Sequence, residues 1–209
     1  MLYFVKTPAW IKKVFKSRVW EIHTDKKELF LSFDDGPHPV HTSYVLDELK
    51  RHNAKATFFC IGKNVLAYPD IYRRIIEEGH ATGNHTFDHL NASKTADAAY
   101  LNNIKLAGQC IDSKLFRPPY GRISGFLVEQ LLLPGFGLKT IMWSVLSGDF
   151  DVKITTQQCL DNVLLNADAG SIVVFHDSEK ASEKMKYALP RVLEYFAGKG
   201  FDFKAIKLS

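Results

Sequence analysis

The sequence is poor in the features that mark membrane-spanning, disulfide-rich and nucleic-acid-binding proteins. Its 209 residues include only three cysteines, without paired spacing, which argues against both a disulfide framework and a cysteine zinc site. No apolar run approaches the ~20 residues of a membrane-spanning helix. The 27 basic and 23 acidic residues leave a net charge of +4, too small to indicate nucleic acid as a partner. The remaining composition is that of one globular domain with its own core.

The first residues also lack the long apolar core of a signal peptide. The apolar run of residues 1–5 is short, and the positive charge of Lys6 follows it instead of preceding it. If Met1 is the natural start, the sequence therefore predicts a cytoplasmic protein.

Residues 7–20 have the pattern of an amphipathic helix. Thr7 can cap its N-terminus, and Pro8 suits its first turn. Its apolar stripe consists of Trp10, Ile11, Val14, Phe15 and Val19. We expect this helix and its lead-in, residues 1–27, to pack on the main domain of residues 28–209. Because the basic residues lie mostly off the stripe, contact with an anionic membrane surface is the alternative.

From residue 28 onward, short apolar runs alternate with helical patterns. The strand candidates are Leu29–Phe33, Ala56–Cys60, Ala81–His85, Leu115–Phe116, Lys139–Trp143, Ser171–His176 and Phe201–Ile206. The helix candidates between them are His41–His52, Asp70–Glu78, Thr95–Ile111, Gly125–Leu133, Thr156–Asn166 and Ala181–Gly198. Seven strands with intervening helices predict an α/β fold with a parallel sheet, either open or closed into a barrel.

Ionisable side chains follow several of the predicted strands, where α/β folds hold their active sites. The pair Asp34-Asp35 ends the first strand, and His85 with His89 follows the third. Two histidines four residues apart can share a metal ion if the chain turns after His85, since an extended strand would separate them by ~13 Å. With one aspartate they would form a two-histidine, one-carboxylate site with an open position, and the second aspartate would be free to act as a base.

Three further residues at strand ends suit supporting roles in such a site. Arg117 precedes two prolines that stiffen its loop, and its guanidinium could keep the free aspartate ionised and oriented. His176 ends an apolar strand and could donate a proton, with Asp149 raising its pKa. His38 and His41, which follow Asp35 on a loop and a helix start, are interpreted as bystanders.

Other common chemistries have no support in the sequence. There is no G-x-S-x-G nucleophile elbow and no phosphate-binding G-x-x-x-x-G-K-[ST] loop. The contiguous run His176-Asp177-Ser178 has the wrong geometry for a nucleophilic triad.

The ordered set of motifs resembles the polysaccharide deacetylase (NodB-homology) family of carbohydrate esterases. The matching segments are Ser32-Phe33-Asp34-Asp35-Gly36-Pro37, His85-Thr86-x-x-His89, Arg117-Pro118-Pro119-Tyr120-Gly121 and the strand ending in His176. The resemblance extends from about residue 28 to the C-terminus. It implies a distorted seven-stranded (β/α) barrel of parallel strands and metal-dependent removal of acetyl groups from a saccharide, most simply an N-acetylglucosamine polymer or oligomer. Family members often act on the cell envelope.

Carried over by position, the resemblance also implies roles for individual residues. The metal ligands would be Asp35, His85 and His89, a set that suits Zn²⁺ and is compatible with Co²⁺, Ni²⁺ or Mn²⁺. The catalytic group would comprise Asp34 as base, His176 as acid, Arg117 holding Asp34, Asp149 tuning His176, and the Tyr120 N–H in the oxyanion hole. The substrate-binding residues would be Pro119, Trp143, Phe150 and Val174.

The fourth motif departs from the family pattern Asp-x-x-Asp-Trp. Leu146 replaces its first aspartate and Phe150 its tryptophan, so we expect altered packing of the groove floor and altered substrate preference. Two alternatives therefore stay open: an amidohydrolase acting on a cyclic amide or small amidated metabolite, and a carbohydrate-binding protein with impaired catalysis. The expected partner is an acetylated carbohydrate, and the expected oligomeric state is a monomer.

Overall fold

The computed structural model describes residues 3–207, which form one α/β unit. The strands are β1 (Glu28–Asp34), β2 (Thr57–Cys60), β3 (Ala81–Asn84), β4 (Leu115–Phe116), β5 (Lys139–Thr140), β6 (Val145–Leu146), β7 (Ile172–His176) and β8 (Asp202–Phe203). The α-helices are α1 (Ala9–Val14), α2 (His41–Arg51), α3 (Gly62–Ala67), α4 (Pro69–Glu77), α5 (Asp97–Ala107), α6 (Gly125–Leu132), α7 (Thr156–Leu164) and α8 (Ser182–Gly198).

The sheet is parallel and curls in the order β5-β4-β3-β2-β1-β7-β6, while β8 pairs with the start of β1. This confirms the predicted α/β barrel of parallel strands. The pairing of β1 with β7 sets Asp34 beside His176. Residues from the two most distant motifs of the main domain are therefore neighbours at the carboxyl end of the sheet.

The core lies on both faces of β1, because successive side chains of a strand point to opposite faces. Leu29, Leu31 and Phe33 belong to the apolar cluster that also contains the buried apolar residues of α2, α7 and α8. Phe30 belongs to a second cluster with residues of β2, β4 and β7. The intervening Ser32 and Asp34 share the face of Phe30, so β1 carries polar groups into the barrel only near its carboxyl end.

The strand predicted over Lys139–Trp143 divides into two. Only Lys139 and Thr140 form β5, and β6 begins at Val145. Between them, Ile141 still donates its N–H to the carbonyl of Phe116 in β4, and it also forms a parallel bridge with Val19 of the N-terminal segment. The apolar character of the run predicted the burial correctly, but it carries no sign of the break.

The N-terminal helix is shorter than predicted. Helix α1 ends at Val14 instead of residue 20, and it leaves Trp10 61% and Val14 65% exposed. The chain beyond it is extended because its backbone bonds to the sheet: Val19 donates its N–H to Thr140 and accepts one from Met142.

The N-terminal segment as a whole fills the gap between the two edge strands. Lys6 forms an antiparallel bridge with Val145 of β6, and Val19 forms a parallel bridge with Ile141, the residue that follows β5. Residues before β1 therefore supply backbone partners to both strand edges.

None of the helices within residues 3–207 combines the length and apolarity needed to cross a bilayer. Helix α3 is an element that the sequence did not predict, since it is short and begins at a glycine with no capping side chain before it.

Candidate active site

The carboxyl ends of the strands surround a cleft of about 740 Å³. Five of the predicted ionisable residues line it, namely Asp34, Asp35, His85, His89 and His176. Arg117 and Asp149 lie behind this layer, and each is fully buried. The cleft therefore has ionisable groups on its surface and charged partners sealed beneath them.

Asp35, His85 and His89 converge on one point of the cleft. Their ligand atoms all lie within 4.8 Å of one another. Oδ1 of Asp35 is 3.2 Å from Nε2 of His89 and 3.8 Å from Nε2 of His85. The chain turns after His85, as the predicted ligand pair requires, through the positive φ of 64° at Thr86. Asp35 and His89 also have positive φ, at 83° and 58°, and such backbone strain concentrates at functional sites.

Hydrogen bonds and burial prepare these groups to bind a cation. Nδ1 of His85 lies 2.7 Å from the carbonyl of Arg117 and can donate its proton there, which leaves Nε2 with a free lone pair toward the cleft. Burial lowers the pKa of His85 to about 4, so the ring is neutral at pH 7. Burial raises the pKa of Asp35, but contact with His89 and the charges of His176 and His85 outweigh this and hold that pKa well below its usual range.

One observation tests whether these residues fit a metal ion. Oδ1 of Asp35 is buried and has no hydrogen-bond partner among the described residues. A buried carboxylate oxygen without a partner is costly, and two imidazole nitrogens approach the same oxygen. One carboxylate and two imidazoles form the donor set of an open divalent-metal site, so the residues fit the cation.

Asp34 lines the same cleft and is held there by a buried arginine. Nη1 of Arg117 donates to its Oδ1 at 2.7 Å and to Oγ of Ser32 at 2.7 Å. The other guanidinium nitrogens donate to the carbonyls of Ile141 and Met142, and the guanidinium lies 4.0 Å from the ring centre of Phe59. The carboxylate of Asp34 is thus ion-paired to a cation that cannot rotate away.

His176 is held by the reverse arrangement. Its Nδ1 lies 2.8 Å from Oδ1 of the buried Asp149, and its backbone N–H donates to Oδ2 of the same carboxylate at 2.6 Å. Burial favours the neutral ring, but the charge and hydrogen bond of Asp149, together with the charges of Asp35 and Asp34, raise the pKa of His176 to about 10. The ring is therefore protonated near neutral pH, and its Nε2 is free to donate.

The loop after β4 contains Tyr120, whose side chain contacts the ligand cluster and whose backbone N–H has no acceptor within residues 3–207. Tyr120 has a φ of 62°, and its ring lies 4.8 Å from that of His89. Within residues 3–207 its N–H donates to no acceptor, whereas those of Gly121 and Arg122 donate to carbonyls of the same turn. Gly121, with a φ of 65°, has no room for a Cβ because the indole of Trp143 occupies that space.

The predicted substrate-binding residues divide between the cleft wall and its surroundings. Trp143, Phe150 and Val174 line the cleft, as does Leu146. Pro119 does not line it; it is buried at the start of a single 3₁₀ turn, and Pro118 takes the place on the wall. His38 and His41 lie apart from the ligand cluster, in a group with Glu179.

Several residues that position the site were not predicted. Asp177 accepts hydrogen bonds from the Gly36 N–H at 3.0 Å and from the Thr42 hydroxyl, and it lies where a side chain on residue 36 would be. Asn103 accepts from the backbone N–H groups of residues 87 and 88, within the turn between the two histidines. Asp177 directly follows His176 at a strand end, and this position is a sequence signal that could have identified it. Asn103 lies within α5 and has no such signal.

Comparisons with known proteins agree with this geometry. A family model described as polysaccharide deacetylase matches residues 21–133. A peptidoglycan-N-acetylglucosamine deacetylase of Bacillus cereus is 34% identical over 194 residues, covering 90% of each chain. A chitooligosaccharide deacetylase of Azorhizobium caulinodans is 36% identical over 163 residues, which are 75% of this chain and 76% of that relative.

A solved structure extends the likeness to the whole fold. The crystal structure of a peptidoglycan N-acetylglucosamine deacetylase matches with a TM-score of 0.84 and 31% identity, over 96% of this chain and 95% of the other. Both the family model and relatives more than 30% identical thus match most of the main domain. The chain belongs to the polysaccharide deacetylase family.

Proposed function

We propose that this protein hydrolyses acetyl groups from an N-acetylglucosamine-type saccharide. The observation that carries the proposal is the presence, in one cleft, of a candidate cation site, an ion-paired carboxylate and a protonated histidine. Ligand binding alone requires no base and no acid beside a cation site, whereas metal-assisted hydrolysis of an amide uses all three.

Enzymes of this family generally depend on a divalent metal ion. We assign its ligands to Asp35, His85 and His89, and the His₂Asp donor set favours Zn²⁺. When bound, the cation supplies Lewis-acid polarisation of the acetyl carbonyl and of the attacking water.

Asp34 is the residue that accepts the proton of the attacking water. It lines the cleft beside the ligand cluster, and the hydrogen bond from Arg117 fixes its orientation while leaving Oδ2 free of that bond. A carboxylate held in this way needs no reorientation during proton transfer.

Two donors serve the later part of the reaction. The N–H of Tyr120, free in its turn, donates to the oxyanion that develops on the acetyl oxygen. His176, held protonated by Asp149, donates its Nε2 proton to the departing amine. Asp34 and His176 face the substrate from different strands, so one group accepts a proton while the other donates one.

The walls of the cleft suit a sugar ring. Trp143 and Phe150 present aromatic surface, and Val174 supplies a small apolar contact for an acetyl methyl group. Leu146 is only 6% exposed at the cleft floor, so the departure from the family motif replaces a charged group there with an apolar one.

The direct test is acetate release from N-acetylglucosamine oligomers by the zinc-loaded protein. We expect turnover that chelation abolishes and added Zn²⁺ restores, and Asp34→Asn should lower kcat by about 10²–10⁴-fold with unchanged metal content. Asp202→Asn, an exposed carboxylate remote in the fold, is the matched control. Turnover that survives complete metal removal would contradict the proposal, as would binding of oligomers without hydrolysis under any divalent metal. A parallel assay with cyclic amides tests the other hydrolase class.

A further inference from the structure

A second cavity, of about 450 Å³, lies beside the catalytic cleft. It is bounded by the N-terminal segment around residues 15–20 on one side and by the loop of residues 121–124 on the other. Gly121 and Arg122 line both the cavity and the cleft, so the two open next to each other. Gly121 and Arg122 therefore form a shared border between the cavity and the cleft.

Arg18 lines this cavity and has an unusual environment for an arginine. It is only 8% exposed, and burial lowers its pKa. Its guanidinium lies 4.4 Å from the ring centre of Phe15, and Nη2 donates to the carbonyl of Ile123 at 2.9 Å. Within residues 3–207 it makes no ion pair, although the exposed carboxylate of Asp97 also lines the cavity.

A buried cation without a counter-ion is unfavourable unless something neutralises it. The contrast with Arg117 is direct, since that guanidinium is also buried but pairs with Asp34 and uses its other nitrogens on carbonyls. Most N–H groups of the Arg18 guanidinium are therefore available to a ligand. A guanidinium binds oxyanions with two parallel hydrogen bonds. Arg122 adds a second positive charge at the rim, and Trp20 adds aromatic surface.

We propose that this cavity binds an oxyanionic substituent, a carboxylate or a phosphate, on a sugar next to the one that is deacetylated. The inference rests on the proposed function and narrows its substrate to an acidic glycan. It makes Arg18 a specificity-determining residue supplied by the N-terminal segment, outside the motifs that form the catalytic cleft.

The test compares kcat and KM of the zinc-loaded protein on three oligosaccharides of equal length: a neutral N-acetylglucosamine oligomer, one with a carboxylate on alternate sugars, and one with a phosphate. We expect Arg18→Gln to raise KM for at least one acidic oligomer about tenfold, with kcat and the neutral substrate unchanged. Arg122→Gln, at the exposed rim, should act in the same direction with a smaller effect. Arg191→Gln, an exposed arginine on α8, controls for the loss of one charge.

Equal losses on neutral and acidic oligomers would indicate a purely structural role for Arg18 and overturn the inference, as would no loss on either acidic oligomer. Calorimetric binding of the same oligomers, together with the melting temperature of each variant, separates this outcome from failure of the proposed function. If acidic oligomers bind in an Arg18-dependent way but no acetate is released, the cavity assignment stands and the deacetylase proposal fails.

Discussion

The site has two sides, each a pair of a buried and a cleft-facing group: on one side a buried cation lies behind an anion, and on the other a buried anion lies behind a histidine. Arg117 is sealed and Asp34 faces the cleft; Asp149 is sealed and His176 faces the cleft. Both pairs join a strand end to a neighbouring element through hydrogen bonds of 2.7–2.8 Å. The two sides differ in the sign of the buried charge.

The hidden charge decides what the cleft-facing group does with a proton. The buried guanidinium of Arg117 binds and orients the Asp34 carboxylate, which accepts a proton, whereas the buried carboxylate of Asp149 favours the imidazolium of His176, which donates one. One cleft can therefore present a base and an acid at the same pH, because the environments of the two groups differ in sign.

The largest effects, and the strongest test of opposite roles for the two sides, should come from replacing the two cleft-facing groups separately. We expect Asp34→Asn and His176→Gln each to lower kcat on N-acetylglucosamine oligomers by about 10²–10⁴-fold. They should differ on 4-nitrophenyl acetate, whose leaving group departs without a proton: His176→Gln should lose far less there, and Asp34→Asn should lose as much as before. Equal losses for both variants on both substrates would show that the two sides do not have opposite roles.

Removing the sealed cation should affect stability as well as catalysis. Arg117→Met leaves the carboxylate of Asp34 buried without its partner, and we expect the free energy of unfolding to fall by about 3–5 kcal/mol. The double variant Arg117→Met/Asp34→Asn should recover part of this loss, because the unpaired charge is gone. Denaturant unfolding measures both, with Arg73→Met, an exposed residue on α4, as the control. A double variant no more stable than the single one would mean that packing against Phe59, and not charge, dominates.

Removing the sealed anion should move a pH profile. His176 must be protonated to donate, so activity falls as pH rises through its pKa, which Asp149 raises. Asp149→Asn keeps a hydrogen-bond acceptor but removes the charge, and the pKa of His176 should fall by about 1–3 units. The alkaline limb of the kcat profile should shift to lower pH by the same amount, and the imidazole titration followed by NMR should shift with it. An unmoved limb, or an equal shift in Asp202→Asn, would remove Asp149 from this role.

The sequence predicted the barrel and the location of the site for a simple physical reason. Strand runs such as Ile172–Phe175 are continuously apolar because both faces of a parallel sheet are covered, and charged residues appear only at the ends of the strands. The polar residues at the carboxyl end of each apolar run therefore include Asp34, His85, Arg117 and His176, and the sequence alone is enough to find them.

The features that the sequence could not predict are set by contacts between distant segments. Val19 pairs with Ile141 just after β5, and Lys6 pairs with Val145 of β6, and neither contact leaves a local pattern in the sequence. The positive φ values at Asp35, His89 and Tyr120 also have no signal in the sequence, because none of these residues is glycine. The end of α1 was missed for the same reason: pairing with the sheet overrides a favourable helical stripe.

Another buried histidine, His80, provides the smallest and most general test of how burial and charge compete. Its side chain is 1% exposed, and Nδ1 accepts the Ala56 N–H at 3.2 Å. Burial, helped by Lys55, lowers the pKa of His80 to about 4, the opposite of His176.

Between pH 6.5 and 4 the unfolded chain therefore binds a proton at residue 80 that the folded chain does not, so stability is complete above pH 6.5 and falls as pH falls. The loss at pH 5 should be about 2 kcal/mol. His80→Asn, which can still accept from the Ala56 N–H, should flatten the dependence of the unfolding free energy on pH over this range, and His23→Asn, an exposed histidine, should not. If the unfolding free energy depends equally on pH in wild type and His80→Asn, burial does not lower the pKa of His80. Burial would then also oppose the protonation of His176 less, and a weaker effect of Asp149 would account for the raised pKa of His176.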